Sequence, residues 1–260
     1  MLVRTWNLFH GNSVPARRHA YLDEMIGLAT ADDPDVLCVQ EVPAWALGRF
    51  TVGDVAQRPS LGPFPSTKGI GRRLTDVHHG LLRSAFAGQG NAMDVAARHV
   101  VLEHTSLTLN PRRFRDAEAR RLGLGVVARL AWSKERRIVQ AVRLRTPDGR
   151  TYLVANLHCT SFPDRRLAQA ELLRAAWFAT STALPEDVVV LAGDFNVTSV
   201  SSAVRELNGA EWGFTGAGPG IDHVLVRGAS IGEVRRWPTE RRRVDGRLLS
   251  DHAPVEVEIR

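Results

Sequence analysis

Apolar positions along the chain repeat with two different periods. Short runs rich in β-branched residues read as strands: Val3–Leu8, Val36–Gln40, Val126–Trp132, Ile138–Leu144, Tyr152–Leu157, Val188–Ala192, His223–Val226 and Val255–Ile259. Val188–Ala192 is continuously apolar, as in a sheet buried on both faces. Val255-Glu256-Val257-Glu258-Ile259 alternates, which predicts one wet face. Pro147-Asp148-Gly149-Arg150 carries turn residues, so Ile138–Leu144 and Tyr152–Leu157 are expected to form an antiparallel hairpin. Helical spacing predicts a helix over Pro15–Leu28. It does so again over Asp164–Ala179, where Leu167, Leu172, Leu173 and Trp177 form a broad stripe. Ser199–Leu207 reads as a shorter helix with a serine available as its cap. Strands alternating with helices, together with a hairpin, predict one α/β domain over residues 1–260, with a mixed sheet system and helices outside it. Thr51–Gly90 is rich in Gly, Pro and Ser and reads as loops with short strands. Arg112–Arg121 and Arg235–Arg247 concentrate arginine, and a charge run usually marks a solvated face.

Composition narrows the partners rather than the fold. With 260 residues, 44% of them hydrophobic, the chain can bury a substantial core without covalent staples. Its two cysteines, Cys38 and Cys159, sit inside apolar runs without metal-binding spacing and read as buried free thiols. No basic segment followed by a long apolar stretch opens the sequence, and no apolar run approaches the ~18 residues of a membrane span. A cytoplasmic protein without a transmembrane segment is therefore expected. The net charge of +6 favours anionic partners: nucleic acid, acidic lipid surfaces or phosphorylated small molecules. Of the basic residues only Lys68 and Lys134 are lysines, a bias that genomic base composition produces equally well.

The candidate chemistry lies at strand ends. In Gly193-Asp194-Phe195-Asn196 an acid and an amide two residues apart share a face and suit a hard cation and a phosphate oxygen, although an Asx turn ending a strand reads the same way. Asn156-Leu157-His158 repeats that geometry. Ser250-Asp251-His252-Ala253-Pro254 precedes the last strand, and Ile221-Asp222-His223 opens the one before. A carboxylate near a histidine orients it for acid or base work, but alternation leaves open which of Asp222 and His223 faces inward. Thr5-Trp6-Asn7 and Val39-Gln40-Glu41-Val42 end the first two strands. Six polar clusters at six strand ends describe a crevice. Their oxygen and imidazole donors favour Mg²⁺ or Mn²⁺ over structural zinc.

In this order, from Asn7 to His252, the motifs resemble the endonuclease/exonuclease/phosphatase superfamily over nearly the whole chain. The resemblance implies a four-layered α/β sandwich of two packed mixed β-sheets with helices on the outer faces. It implies Glu41 as the principal ligand of a Mg²⁺ (or Mn²⁺) ion, with Asn7 and Asp251 close to the same ion and His252 beside it. It implies that Asp194 and Asn196 position the nucleophilic water and the phosphate, or bind a second ion. His158 resembles the histidine that contacts the scissile phosphate, His252 the catalytic histidine, and Asp222 its carboxylate partner. In several relatives an acid from a middle strand supports the first histidine. Gly88-Gln89-Gly90-Asn91-Ala92-Met93 offers Gln89 and Asn91 there, but no acid.

The expected activity is a divalent-metal-dependent phosphoesterase. A nuclease acting on DNA or RNA is the first reading, with Arg241, Arg242, Arg243, Arg247 and Asn91 as candidate substrate contacts. A phosphodiesterase or phosphatase for lipid headgroups or small phosphorylated metabolites is the alternative. A non-catalytic nucleic-acid-binding protein is a third reading, but degenerate members lose motif residues and none of the core set is missing here.

Overall fold

The computed structural model describes residues 1–15, 21–57 and 89–260. Its strands are β1 (Leu2–Asn7), β2 (Ser13–Val14), β3 (Val36–Pro43), β4 (Val52–Gln57), β5 (Gln89–Val95), β6 (Val100–Thr108), β7 (Ile138–Arg145), β8 (Thr151–His158), β9 (Val188–Asp194), β10 (Asp222–Arg227), β11 (Arg235–Arg236), β12 (Arg243–Val244), β13 (Arg247–Leu249) and β14 (Val255–Glu258). The helices are α1 (Leu22–Thr30), α2 (Arg112–Arg121), α3 (Val126–Lys134), α4 (Arg166–Thr182) and α5 (Ser202–Leu207). One mixed sheet has the order β11-β14-β1-β3-β5-β4 and a second the order β10-β9-β8-β7-β6, with β12-β13-β2 forming a small third sheet.

Strand periodicity builds the layers. Val3, Val36, Cys38, Met93 and Val255 of the first sheet meet Val142, Val154, Val190, Ala192 and Val224 of the second in a shared apolar layer. Residues of opposite parity point outward. Trp6, Leu37 and Val39 pack under Leu22, Met25 and Ala29 of α1. Val139, Leu153, Ala155 and Leu191 pack under Ala168, Leu172 and Ala175 of α4 and Val204 of α5. The result is the four-layered α/β sandwich expected from the motifs.

The inter-sheet layer is not wholly apolar. Gln40 Nε2 donates to Thr5 Oγ1 (3.0 Å) and to Asn156 Oδ1 (2.8 Å). Asn156 Nδ2 donates to Val39 O (3.0 Å) and Ala92 O (2.9 Å) of the opposite sheet. Asn91, also buried, donates to Ile138 O (3.3 Å). These amides tie the sheets together directly beneath the strand ends.

The expected hairpin forms: β7 and β8 pair antiparallel around Thr146–Arg150, where Gly149 takes φ +87°. Ser201 caps α5, accepting from Val204 N. Cys38 and Cys159 are both buried and free. Among the described residues, no helix is long and apolar enough to cross a membrane.

Three expectations change. Val126–Trp132 is not a strand but the body of α3. Trp132 and Ala128, one helical turn apart, pack against Ala119, Leu124, Leu167 and Ala170, whereas Val126, Val127 and Leu130 are exposed. A continuous apolar run is ambiguous between the two structures, and Gly125 at the N-cap with Ala-rich neighbours tips it to helix. The first helix starts at Leu22 rather than Pro15, and residues 16–20 lie outside the described ones. The last strand has no wet face at Glu256. That carboxylate is covered, accepting from Arg4 Nε (2.9 Å), Arg4 Nη2 (2.8 Å) and Trp237 Nε1 (3.0 Å). Within Thr51–Gly90 the structure shows β4 and the start of β5, and residues 58–88 lie outside the described ones. The arginine-rich Arg112–Arg121 is helix α2.

Removing the Asn156 amide takes its donor from Val39 O and Ala92 O, and leaves Gln40 Nε2 with Thr5 Oγ1 but without Asn156 Oδ1. Asn156→Ala is expected to lose about 2–4 kcal/mol of unfolding free energy in urea, since each orphaned buried group costs about 1–3 kcal/mol. A loss below ~1 kcal/mol would show that the amide layer is not a stabilising tie.

Candidate active site

Strand register brings the motifs together at one end of the sandwich. Parallel pairing of β8 and β9 sets His158 beside Asp194, and antiparallel pairing of β9 and β10 sets Asp194 beside Asp222. Val190, Ala192, Val224 and Val226 face the inter-sheet layer, so Asp194 and Asp222 share that face. His223 therefore points outward. Its Nδ1 accepts from Gly218 N (2.8 Å), its Nε2 meets Val197 O (2.7 Å), and its ring packs on Phe195. Gly193 is required where it stands: at φ +147°, a Cβ there would lie 2.0 Å from Leu157 O. Glu41 breaks the alternation. It adopts φ +52° at an irregularity in the β3–β5 pairing between Val39 and Val42. This kink turns its carboxylate toward the same end as Asn7.

At the centre, Asp194 Oδ2 accepts from Asn7 Nδ2 (3.1 Å) and Asp194 Oδ1 from Asn196 N (3.0 Å). The second bond is the Asx turn that the sequence also allowed, so turn and site coexist. Asn7 Oδ1 accepts from Phe9 N (3.0 Å), and Asn196 Nδ2 donates to Cys159 O (3.0 Å). Asn7 thus presents its amide nitrogen, not its oxygen, to the carboxylate.

His252 Nδ1 lies 2.9 and 3.0 Å from the two Asp222 oxygens, and its Nε2 lies 3.8 Å from Asp194 Oδ2. The loop that carries it is held from behind. Trp6 Nε1 donates to His252 O (2.9 Å), and Ser250 Oγ donates to Asn7 O (2.7 Å) while accepting from His252 N (3.0 Å). Asp251 stands exposed at the rim.

His158 Nε2 lies 3.5 Å from Asp194 Oδ2 and 4.0 Å from Glu41 Oε1. Asn91, the residue in the region where relatives place a supporting acid, is instead spent on Ile138 O. Arg137 Nη1 contacts His158, 3.0 Å from Nδ1 and 3.1 Å from Nε2. His10 Nε2 lies 3.0 Å from Glu41 Oε2, in a turn where Phe9, His10 and Gly11 all take positive φ. Sequence reasoning missed both residues. His10 follows Asn7 by three positions and was visible as a polar residue near a motif. Arg137 was hidden inside a basic run.

The candidate arginines mostly serve the scaffold. Arg242 is buried, and its Nη1 donates to Leu249 O (2.9 Å), Ser250 O (3.1 Å) and His252 O (2.6 Å). Arg247 donates to Pro15 O (3.0 Å), and Arg241 stacks 3.4 Å over the Trp237 ring and pairs with Asp32. Arg243, exposed, donates to Gly246 O (3.3 Å). Gln89 is buried in the first sheet.

The sequence model of the Endonuclease/Exonuclease/phosphatase family matches residues 5–252. The chain belongs to this family. No curated protein matches the sequence. Solved structures share the fold across the whole chain. A functionally unknown conserved protein from Enterococcus faecalis is 15% identical over 100% of this chain and 99% of its own, with TM-score 0.66. D. rerio TDP2, complexed with single strand DNA product, is 13% identical over 100% and 98%, with TM-score 0.64. A Bacteroides thetaiotaomicron mannosyl-6-phosphatase is 15% identical over 100% and 99%, with TM-score 0.56. Like its family, the chain is a phosphoester hydrolase by fold and motif set.

Electrostatics of this family site are dominated by crowded acids. Burial and the Asp222 charge push the Asp194 carboxyl up, against the His252 charge and the bonds from Asn7 and Asn196. Asp251 is exposed as a residue, yet desolvation of its carboxyl at the crowded rim raises it, with the His252 charge opposing and the Glu41 and Asp222 charges adding. Burial works against the Glu41 charge, but His10, His158 and Asn7 outweigh it and hold that carboxyl low. Burial and the Arg137 charge keep His158 well below the usual imidazole range. Burial opposes charge on His252 too, yet Asp222, Asp194 and Asp251 push it up to about 10. Asp194, Asp222 and His252 bring ligand atoms within 4.8 Å of one another. This is a set of hard donors with surplus negative charge, and it fits a divalent cation. Glu41, the principal ligand that the resemblance implied, lies outside this group, with its Oε2 3.0 Å from His10 Nε2.

A folded-state pKa raised above the free value makes the Asp222–His252 pair stabilising below about pH 6.5, with the contribution lost as pH rises through about 10. In metal-free protein, NMR titration of His252 should therefore give a midpoint far above ~6.5, and Asp222→Asn should bring it down. The variant should lose on the order of 1–2 kcal/mol at pH 6 and little above pH ~10. An unchanged midpoint would assign the charge to Asp194 and Asp251 alone.

Proposed function

We propose that the chain is a divalent-metal-dependent phosphoesterase that cleaves phosphodiesters by in-line attack of water, with nucleic acid as its substrate class. The observation that carries the reading is the His252 ring, bonded through Nδ1 to Asp222 while Nε2 faces Asp194, beside the Glu41–Asn7–Asp194 group. Nε2 takes the proton of the attacking water. Asp222 accepts the Nδ1 hydrogen and fixes which nitrogen is free. Asp194, braced by Asn7 and Asn196 N, orients the water. Nε2–H of His158 donates to a phosphate oxygen. A divalent cation held by Asp194 and Glu41, with Asp251 at the rim, would neutralise charge on the phosphate, and with those acids offset the His252 ring would be free to act as a base. Substituting Asp194→Ala should lower Mg²⁺- or Mn²⁺-dependent turnover at least ~100-fold. Undiminished activity would overturn the site.

Nucleic acid is favoured by the β6–β7 connection. Pro111–Glu135 holds seven basic and three acidic residues. Antiparallel pairing of β6, β7 and β8 places it at the His158 end of the sheet. Arg113, Arg120 and Arg129 are exposed there. The DNA product bound by TDP2 is consistent with this reading. Reversing these three to Glu should raise KM for single-stranded DNA or RNA and flatten its salt dependence by about one unit of slope per lost phosphate contact. Turnover of bis(p-nitrophenyl) phosphate should be unchanged. The commitment of Arg242 and Arg247 to protein carbonyls instead favours a small phosphoester, as for the mannosyl-6-phosphatase. Turnover of small phosphoesters without cleavage of any polynucleotide would select that alternative.

A further inference from the structure

We propose that His10 is a metal ligand. Its Nε2 and Glu41 Oε2 together chelate the divalent cation of the site and bias it toward a transition-metal ion over Mg²⁺. The proposal rests on the reading that the site holds a divalent cation; it does not depend on the substrate.

The two atoms already stand as neighbouring ligands do. His10 Nε2 lies 3.0 Å from Glu41 Oε2. Ligands at adjacent corners of an octahedron with bonds of ~2.1 Å are about 3.0 Å apart. One ion can therefore meet both atoms without moving either side chain. Glu41 Oε1 faces a different imidazole, 4.0 Å from His158 Nε2. The His10 and Glu41 side chains keep 12% and 20% of their surface open to solvent, so an ion can reach them.

An ion pair has the same spacing, and the backbone separates the two roles. Phe9, His10 and Gly11 take φ 46°, 57° and 80° in succession. Gly11 is obligatory, since a Cβ there would lie 2.8 Å from Leu22 Cβ. The other two are ordinary residues in left-handed backbone. The turn is pinned at each step. Phe9 N donates to Asn7 Oδ1 (3.0 Å), Gly11 N to Leu8 O (2.7 Å) and Asn12 Nδ2 to Phe9 O (2.8 Å). An ion pair open to water stabilises little, less than two non-glycine residues at positive φ cost. Strain held in place beside a candidate site points to a role beyond pairing.

His10 adds an imidazole to a group rich in carboxylates. Mg²⁺ takes oxygen donors and keeps several waters, whereas imidazole suits later first-row ions. Ligation by His10 therefore stabilises bound Co²⁺ much more than bound Mg²⁺, and selectivity is its signature. Simple charge compensation of Glu41 predicts the reverse. Removing His10 would then free the carboxylate and tighten every cation.

The test is calorimetric titration of metal-free protein with Co²⁺ and with Mg²⁺ at one pH. Wild type is expected to bind Co²⁺ more tightly. His10→Ala should weaken Co²⁺ at least ~10-fold, the lower bound for losing even an outer-sphere partner. It should weaken Mg²⁺ less than ~3-fold, since water fills the vacated place. The ratio of the two affinities then falls. In pulsed EPR of the Mn²⁺-loaded protein, the variant should lose one directly bound nitrogen. Should His10→Ala fail to fold, His10→Asn reads the same ratio, because asparagine tolerates left-handed backbone and is too short to replace the ring. An unchanged ratio, or tighter binding of both ions in the variant, overturns the proposal. So does wild-type protein that binds no Co²⁺. The expected ratio in a protein that turns over no phosphoester would refute the proposed activity and leave the ligand assignment standing.

Discussion

Two sheets stacked face to face need one relative position, and an apolar layer alone specifies it weakly because apolar contacts are non-directional. The amide of Asn156 supplies the direction. It reaches across the layer to Val39 O and Ala92 O while receiving Gln40. A slip between the sheets would leave these groups unpaired in a medium where each costs on the order of 1–3 kcal/mol. The site depends on that alignment, because its groups come from both sheets. Asn7 and Glu41 belong to one and His158, Asp194 and Asp222 to the other. Asn156 also lies two residues before His158 and on the same face, so the tie sits directly under the chemistry.

Bringing four acids to one sandwich end carries an electrostatic cost. The protein offsets part of it with His10 on Glu41, His252 between Asp222 and Asp194, and Arg137 behind His158. The remainder shows in the raised Asp194 and Asp251 carboxyls. The backbone accepts strain at the same place. Phe9, His10, Glu41, Asn196 and Ser250 all adopt positive φ, a conformation that costs a non-glycine residue roughly 1–3 kcal/mol in unfavourable cases. Each flanks or belongs to the site. Regular strands would have aimed Glu41 at the outer face, and the strained turns are how the ends of straight strands converge.

Much of this was legible in the residues. The six polar clusters, their order and the apolar Val188–Ala192 leading into Asp194 identify the layers, the family and most of the candidate site, because side chains alternate between the faces of a strand. Periodicity failed where the signal was a bare apolar run. Val126–Trp132 carries no alternation, and only packing against α2 and α4 made it a helix. It also failed for Glu256, polar by type but enclosed by Arg4 and Trp237, residues far from it in sequence.

What the chain determined by itself is therefore the set of chemical groups and the strands that carry them. Tertiary structure decided which groups meet. Arg242 and Arg137 look alike in sequence, each inside a basic run. One closes around the carbonyls of the His252 loop and the other faces His158. An isolated long side chain has no period, so nothing local states its partner. The partner is set by which strand ends the stacked sheets bring together.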